Sequence, residues 1–151
     1  MARFTTSTEA RAPAADVWRL LTDWPAHSRF VPLTRITRTG DGVGGVGDRF
    51  TARTGLACCA FDDPMEVVEW VPPDGDAPGR CVVAKLGRVL LGRAVIDVVP
   101  LSRASCRARW SEDVEIAPAG LTRVAGPLVG LVGGLGFGRV LRAMVAEVEA
   151  R

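Results

Sequence analysis

Gly126-Pro127-Leu128-Val129-Gly130-Leu131-Val132-Gly133-Gly134-Leu135-Gly136-Phe137-Gly138-Arg139-Val140-Leu141-Arg142-Ala143-Met144-Val145-Ala146-Glu147-Val148-Glu149 is the stretch that decides the fold. Apolar residues fall at 128, 131, 132 and 135, then at 137, 140, 141, 144, 145 and 148. That spacing is the period of a helix, held over more than twenty residues, and it predicts one long helix over 121–149. Its longest uncharged run, 124–138, has fifteen residues, short of the roughly 20 that a membrane span needs. Most of the chain ahead of it reads as strands and turns, so this helix is the one element long enough to cover a large sheet.

Working back, residues 105–116, 88–99, 80–86, 61–71, 48–54 and 34–39 each alternate or run apolar, with short breaks between them. The breaks carry turn chemistry: the glycine-rich run 40–47, Pro72-Pro73-Asp74-Gly75, Gly87, and Pro100-Leu101-Ser102-Arg103. Long strands joined by short turns predict an antiparallel meander. At the N-terminal end, 3–12 alternates as another strand, with Phe4, Thr6, Thr8 and Ala10 on one face. Pro13 ends that strand and opens a short amphipathic helix in which Val17, Leu20 and Leu21 share a side. Trp24-Pro25 breaks it, and a second short helix or turn through His27 and Phe30 follows. The expected fold is α+β: a curved seven-stranded antiparallel sheet wrapped around a long C-terminal helix, with two short helices after the first strand.

Composition bounds the function. At 151 residues with 48% apolar and 24% charged, the chain is expected to be a single folded domain, 1–151. The formal charge of +2 is too balanced to point to nucleic acid or an anionic membrane. Arg49 and Arg53 alternate on one strand face without interleaved aromatics, which also speaks against single-stranded nucleic acid. The run 40–47 lacks the Lys-Ser/Thr of a phosphate loop. The N-terminus shows no apolar signal region, so a cytoplasmic protein is expected. Cys58, Cys59, Cys81 and Cys106 have no CxxC spacing and a single His27 to help them, so no metal or other cofactor is expected. They read first as reduced, buried small thiols, with a redox pair as an alternative.

The segment Ala12-Pro13-Ala14-Ala15-Asp16-Val17-Trp18-Arg19-Leu20-Leu21-Thr22-Asp23-Trp24, the later Phe30-Val31-Pro32, and Pro100 followed by Trp110-Ser111-Glu112-Asp113-Val114 resemble the polyketide cyclase/dehydrase and lipid-transport family. This is the SRPBCC group of the START and birch-pollen-allergen-like superfamily, and the resemblance covers essentially the whole chain. It implies a helix-grip fold with an elongated apolar cavity between sheet and last helix. Binding or transport of a small hydrophobic molecule is the first expectation, by a monomer or homodimer. A polyketide cyclase, aromatase or dehydratase is the alternative, and a protein-partner module such as a toxin–antitoxin component the second alternative.

Candidate lining residues are Trp18, Trp24, Phe30, Phe50, Met65, Trp70, Val95 and Trp110. Gly126, Gly130, Gly134 and Gly138, four apart, leave a side-chain-free helix stripe. It reads as close packing, as room or a gate for a pocket at Gly130 and Gly134, or as self-association. Two strand rows mix charge with apolar neighbours: Glu112 between Trp110 and Val114, and Arg93 and Asp97 around Val95. Either row can face inward. An inward carboxylate would be desolvated and suited to acid–base work; an outward one would pair across strands. His27 joins Glu112, Asp97 and Arg93 as the catalytic candidates.

Overall fold

The computed structural model describes residues 2–117 and 119–151, with side chains for 2–117 and 130–151. In chain order the elements are β1 (Ala2–Ala10), α1 (Ala14–Leu21), a 3₁₀ helix (Trp24–Arg29), β2 (Thr34–Arg38), β3 (Arg49–Thr54), a 3₁₀ turn (Ala57–Cys59), β4 (Phe61–Val71), β5 (Gly79–Leu86), β6 (Leu90–Ser102), β7 (Ser105–Ile116) and α2 (Ala119–Glu149). The strands form one antiparallel sheet of seven, in the order β1-β7-β6-β5-β4-β3-β2. The expected helix-grip architecture is the one observed: a curled sheet with α2 against its concave side. Among the described residues no helix is long and apolar enough to cross a membrane.

The two faces of the sheet follow from residue alternation. Most inward positions are apolar: Met65 and Val67 on β4, Cys81 and Val83 on β5, Ala94, Ile96 and Val98 on β6, Cys106, Ala108 and Trp110 on β7. Outward positions carry opposed charges. Arg3–Asp113, Glu9–Arg107, Arg49–Glu66, Arg53–Asp62 and Arg80–Asp97 are each directly opposite in register and each within 2.9 Å. Exposed pairs of this kind contribute about 0.2–1 kcal/mol apiece, but they oppose a one-residue slip, which would turn every inward side chain out. At Gly92 on β6 the backbone takes φ +130°, and a Cβ there would lie 2.0 Å from the Asp113 carbonyl oxygen, so only glycine fits where β6 meets β7.

One end of the groove is filled by α1 and the last turns of α2. Val17, Leu20 and Leu21 pack there with Leu141, Met144, Val145 and Val148, all nearly inaccessible. Cys81 and Cys106 belong to this core, and burial pushes their thiols up to about 12 and about 11, so both stay protonated. Cys58 and Cys59 are exposed, against the expectation of burial, because the 3₁₀ turn that carries them buries no residue.

The first described half of α2 corrects the sequence reading twice. Leu131, Val132 and Leu135 face outward, 62%, 61% and 65% exposed, although their spacing suggested the inward face. The inward face is instead the glycine face. A Cβ on Gly130 would lie 3.2 Å from the Arg3 carbonyl oxygen, and one on Gly134 3.5 Å from Phe4 Cβ. Gly130 and Gly134 therefore bring the helix onto β1 and do not widen a pocket. Gly126 of the expected stripe, and Leu128, lie outside the residues whose side chains are described.

Candidate functional site

Where the glycine half of α2 gives way to the packed half, sheet and helix separate and leave a cavity of about 90 Å³. The 3₁₀ helix roofs it with Trp24 and His27, and Phe137 closes it from α2. This roof is a consequence of local sequence. Pro25 fixes the first turn of the 3₁₀ helix, and the Asp23 carboxylate accepts from the Ala26 amide at 3.4 Å. Trp24 stacks on Phe50 with ring centroids 4.4 Å apart, and its Nε1 donates to buried Asp48 Oδ2 at 3.2 Å. Trp110 from β7 lies 5.2 Å from the Phe137 ring and 5.4 Å from His27. Three walls are thus aromatic and held by their own polar or stacking contacts.

The polar end is built from three strands, the neighbours β4 and β5 and, across β6, β7. Lys85 of β5 donates from Nζ to Asp63 Oδ2 of β4 at 2.8 Å and sits 3.8 Å from Glu112 Oε2 of β7. Trp110 Nε1 donates to Glu112 Oε1 at 3.1 Å. All three charged side chains are almost completely buried, and Asp63 Oδ1 has no hydrogen-bond partner. Burial disfavours the ionised form of Glu112 more than Lys85 and Trp110 favour it, so its pKa is raised. Burial also works against charge on Lys85, but Glu112 and Asp63 outweigh it, so the ammonium is held above its ordinary range. The group is a fixed cation between two carboxylates, one of which keeps its proton to higher pH than a solvated acid.

His27 faces the same space, 3% exposed. Its Nε2 lies 2.9 Å from the Leu21 carbonyl oxygen, which can only accept, so Nε2 carries the hydrogen and Nδ1 the lone pair. Desolvation lowers its pKa to about 4, against the opposing pull of that carbonyl and of Asp23. At neutral pH it is an uncharged imidazole offering an acceptor.

Of the residues singled out from sequence, Trp24, His27, Phe50, Met65, Trp110 and Glu112 line this cavity. The others do not. Trp18 and Trp70 meet edge to face at 5.2 Å and border a separate surface depression with Arg19 and Asp23. Phe30 borders an outer groove of about 400 Å³, with Arg29 over its ring. Val95, Arg93 and Asp97 lie on the convex face, because Ala94, Ile96 and Val98 take the inward positions of β6; Arg93 is exposed and Asp97 pairs with Arg80. Sequence reasoning missed Asp63, Lys85, Val31 and Phe137. The signal for the first two was the one used for Glu112: Asp63-x-Met65-x-Val67 and Cys81-x-Val83-x-Lys85 are alternating rows with one charge among apolar neighbours.

The sequence pattern described as polyketide cyclase/dehydrase and lipid transport matches residues 1–151. The chain belongs to that family. A search of curated protein sequences finds no match. Among solved structures, this family member is similar to the Zhui aromatase/cyclase from Streptomyces sp. R1128, at 14% identity and TM-score 0.73 over 99% of this chain and 94% of that one. A START superfamily protein from Mycobacterium smegmatis is 17% identical, with TM-score 0.73 over 99% of both chains. Norcoclaurine synthase from Thalictrum flavum, in complex with dopamine and hydroxybenzaldehyde, is 16% identical, with TM-score 0.62 over 96% of this chain and 86% of that one. At these identities the likeness establishes the helix-grip fold of the family and not the chemistry of the cavity.

Proposed function

We propose that this chain takes a small, ring-bearing hydrophobic molecule with a carbonyl or hydroxyl group into the cavity and acts on it by acid–base chemistry of the cyclisation or dehydration type. One observation carries the reading: Asp63, Lys85 and Glu112 are buried together at one end of an otherwise aromatic cavity. Removing three ionisable groups from water costs several kcal/mol per ion, and apolar residues of similar volume would hold the sheet as well or better. Perturbed ionisable groups in a cavity are the arrangement that catalysis requires. The reading joins two expectations from the sequence, ligand binding and acid–base conversion. It is supported by the aromatase/cyclase relative and by the aromatic aldehyde in the complex of norcoclaurine synthase.

The roles follow from the protonation states. Lys85 stays an ammonium, so it serves as a hydrogen-bond donor to a carbonyl or enolate oxygen and not as an amine nucleophile. On a β-hydroxy carbonyl compound, Asp63 Oδ1, the unpartnered acceptor, takes the proton from the carbon beside the carbonyl. Lys85 holds the negative charge that develops on oxygen. Glu112 gives its proton to the leaving hydroxyl, which departs as water while the carbon–carbon double bond forms. Trp24, Phe50 and Trp110 hold the ring, and His27 Nδ1 accepts a hydrogen bond from a further hydroxyl. The test is turnover of an aromatic β-hydroxyketone, followed by the absorbance of the conjugated product. Glu112→Gln, which keeps the shape of the side chain, is expected to lower the rate about 10²–10⁴-fold. Equal rates in the wild type and this variant would remove Glu112 from the mechanism.

Carriage without conversion is the second reading, and the outer groove favours it. Val31 and Phe137 border both the 90 Å³ cavity and the 400 Å³ groove, so their displacement would join the two into a space for a longer apolar chain. Saturable binding of a fluorescent fatty acid, with no turnover of any β-hydroxy carbonyl compound, is the outcome that supports it.

A further inference from the structure

The turn between β3 and β4 carries two adjacent cysteines that the cavity does not use. Cys58 and Cys59 are both exposed, and their Sγ atoms lie 3.7 Å apart. The turn is fixed by its backbone. Gly55 at φ +116° lets the chain double back so closely that a Cβ there would sit 2.6 Å from the Cys59 carbonyl oxygen. Ala57 takes the left-handed region at φ +49°, and the Cys59 amide donates to the Leu56 carbonyl at 3.0 Å. Gly55, Ala57 and Ala60 border an open surface depression with Arg29, Arg35 and Arg53, so the two thiols stand beside that depression.

A direct disulfide between them is disfavoured. Neighbouring Cα atoms are about 3.8 Å apart, and disulfides call for roughly 4.4–6.8 Å. A soft centre bonded to both sulfurs fits better. With bonds of about 2.3 Å and an angle between about 95° (pyramidal) and about 110° (tetrahedral) it needs sulfurs about 3.4–3.8 Å apart, close to the spacing present. Among the described residues no group of three or more His, Cys, Asp or Glu could hold a metal ion, so the occupant must be satisfied by two protein sulfurs. We propose that Cys58 and Cys59 form a vicinal dithiol site for a thiophilic metalloid centre that takes two protein sulfurs, of the trivalent arsenical kind. With an arsenoxide, two As–S bonds form and the As=O bond breaks. Both thiol protons leave with the oxygen as water, and neither arsenic nor sulfur changes oxidation state.

The experiment is capture of phenylarsine oxide by the full chain, read by intact mass. One adduct per chain is expected, stable to an excess of a monothiol such as 2-mercaptoethanol and released by a dithiol such as 2,3-dimercaptopropanol. Cys58→Ser and Cys59→Ser, both surface changes, should each abolish the monothiol-resistant adduct, while a Cys106→Ser chain keeps it. Release of the wild-type adduct by monothiol, or its persistence in either surface variant, overturns the proposal. The site is independent of the acid–base reading, because neither cysteine lines the cavity.

Discussion

Lys85 is the one lysine in the chain, and its place between Asp63 and Glu112 makes it the residue on which the cavity depends most. Lys85→Met leaves two carboxylates buried without their cation, and the expected loss is about 3–5 kcal/mol in a denaturant titration. Replacing Asp63, Lys85 and Glu112 together by Leu, Met and Leu should restore most of that loss, since no charge is then left in the interior. His27 gives a pH signature of the opposite kind from Glu112. Its folded pKa of about 4 lies below the ordinary 6.5, so its contribution is complete above 6.5 and lost as the pH falls through 4. The shift corresponds to about 3 kcal/mol, and His27→Gln should flatten the acid limb of the stability profile by that order. Glu112, raised instead, contributes below its ordinary value and loses that contribution as the pH rises through the folded one. Glu112 was legible because it interrupts an apolar row whose neighbours Trp110 and Val114 are themselves large. Lys85 was not, because Leu86 and Gly87 follow it and blur the alternation at the strand end. Arg93 and Asp97 show the limit of such rows: on β6 both alternate sets, Ala94-Ile96-Val98 and Val95 with its neighbours, are apolar enough to face inward, and the cross-strand partner Arg80 decides between them.

At the scale of elements, β7 and α1 were readable at their starts and β4 at its end, because Pro100-Leu101-Ser102-Arg103, Pro13 and Pro72-Pro73 mark those boundaries. The long helix was readable in extent and misleading in face. Its leucines and valines at 131, 132 and 135 have the spacing of a buried stripe, yet glycine at 130, 133 and 134 lets the backbone itself become the contact with β1. A period analysis weighs large side chains and cannot register a face made of backbone. The same observation separates the glycines by experiment. A Cβ at Gly136 meets nothing, so Gly136→Ala should gain about 0.8–1 kcal/mol from helix propensity alone. At Gly130 the neighbour is the backbone oxygen of Arg3, which cannot rotate away, so Gly130→Ala should lose that gain and lower the melting temperature. A calorimetric comparison of the two variants checks the assignment of faces directly.

For the whole molecule, the relation between inner cavity and outer groove turns on Phe137, stacked on Phe4 at 5.3 Å and tilted against Trp110. Phe137→Ala removes the partition shared with the groove, so the variant should take up longer apolar probes more readily than the wild type does. The cost is roughly 3 kcal/mol of stability, the low end for a large aromatic deletion in a core. Uptake equal to that of the wild type in a fluorescence or xenon-binding assay would show that Phe137 is not the partition. The order of strands has a different consequence, which concerns time. Among the described residues β1 has β7 as its only sheet neighbour, and Ala2 pairs with Val114, most of the sequence away. A ribosome therefore releases the first strand with no partner, and it stays unpaired until residues 105–116 emerge; α2, which packs along β1, comes later still. Closing so distant a contact is slow, in the millisecond-to-second range for sheets of this kind, so the sheet's last seam is sewn by the nine residues of β1.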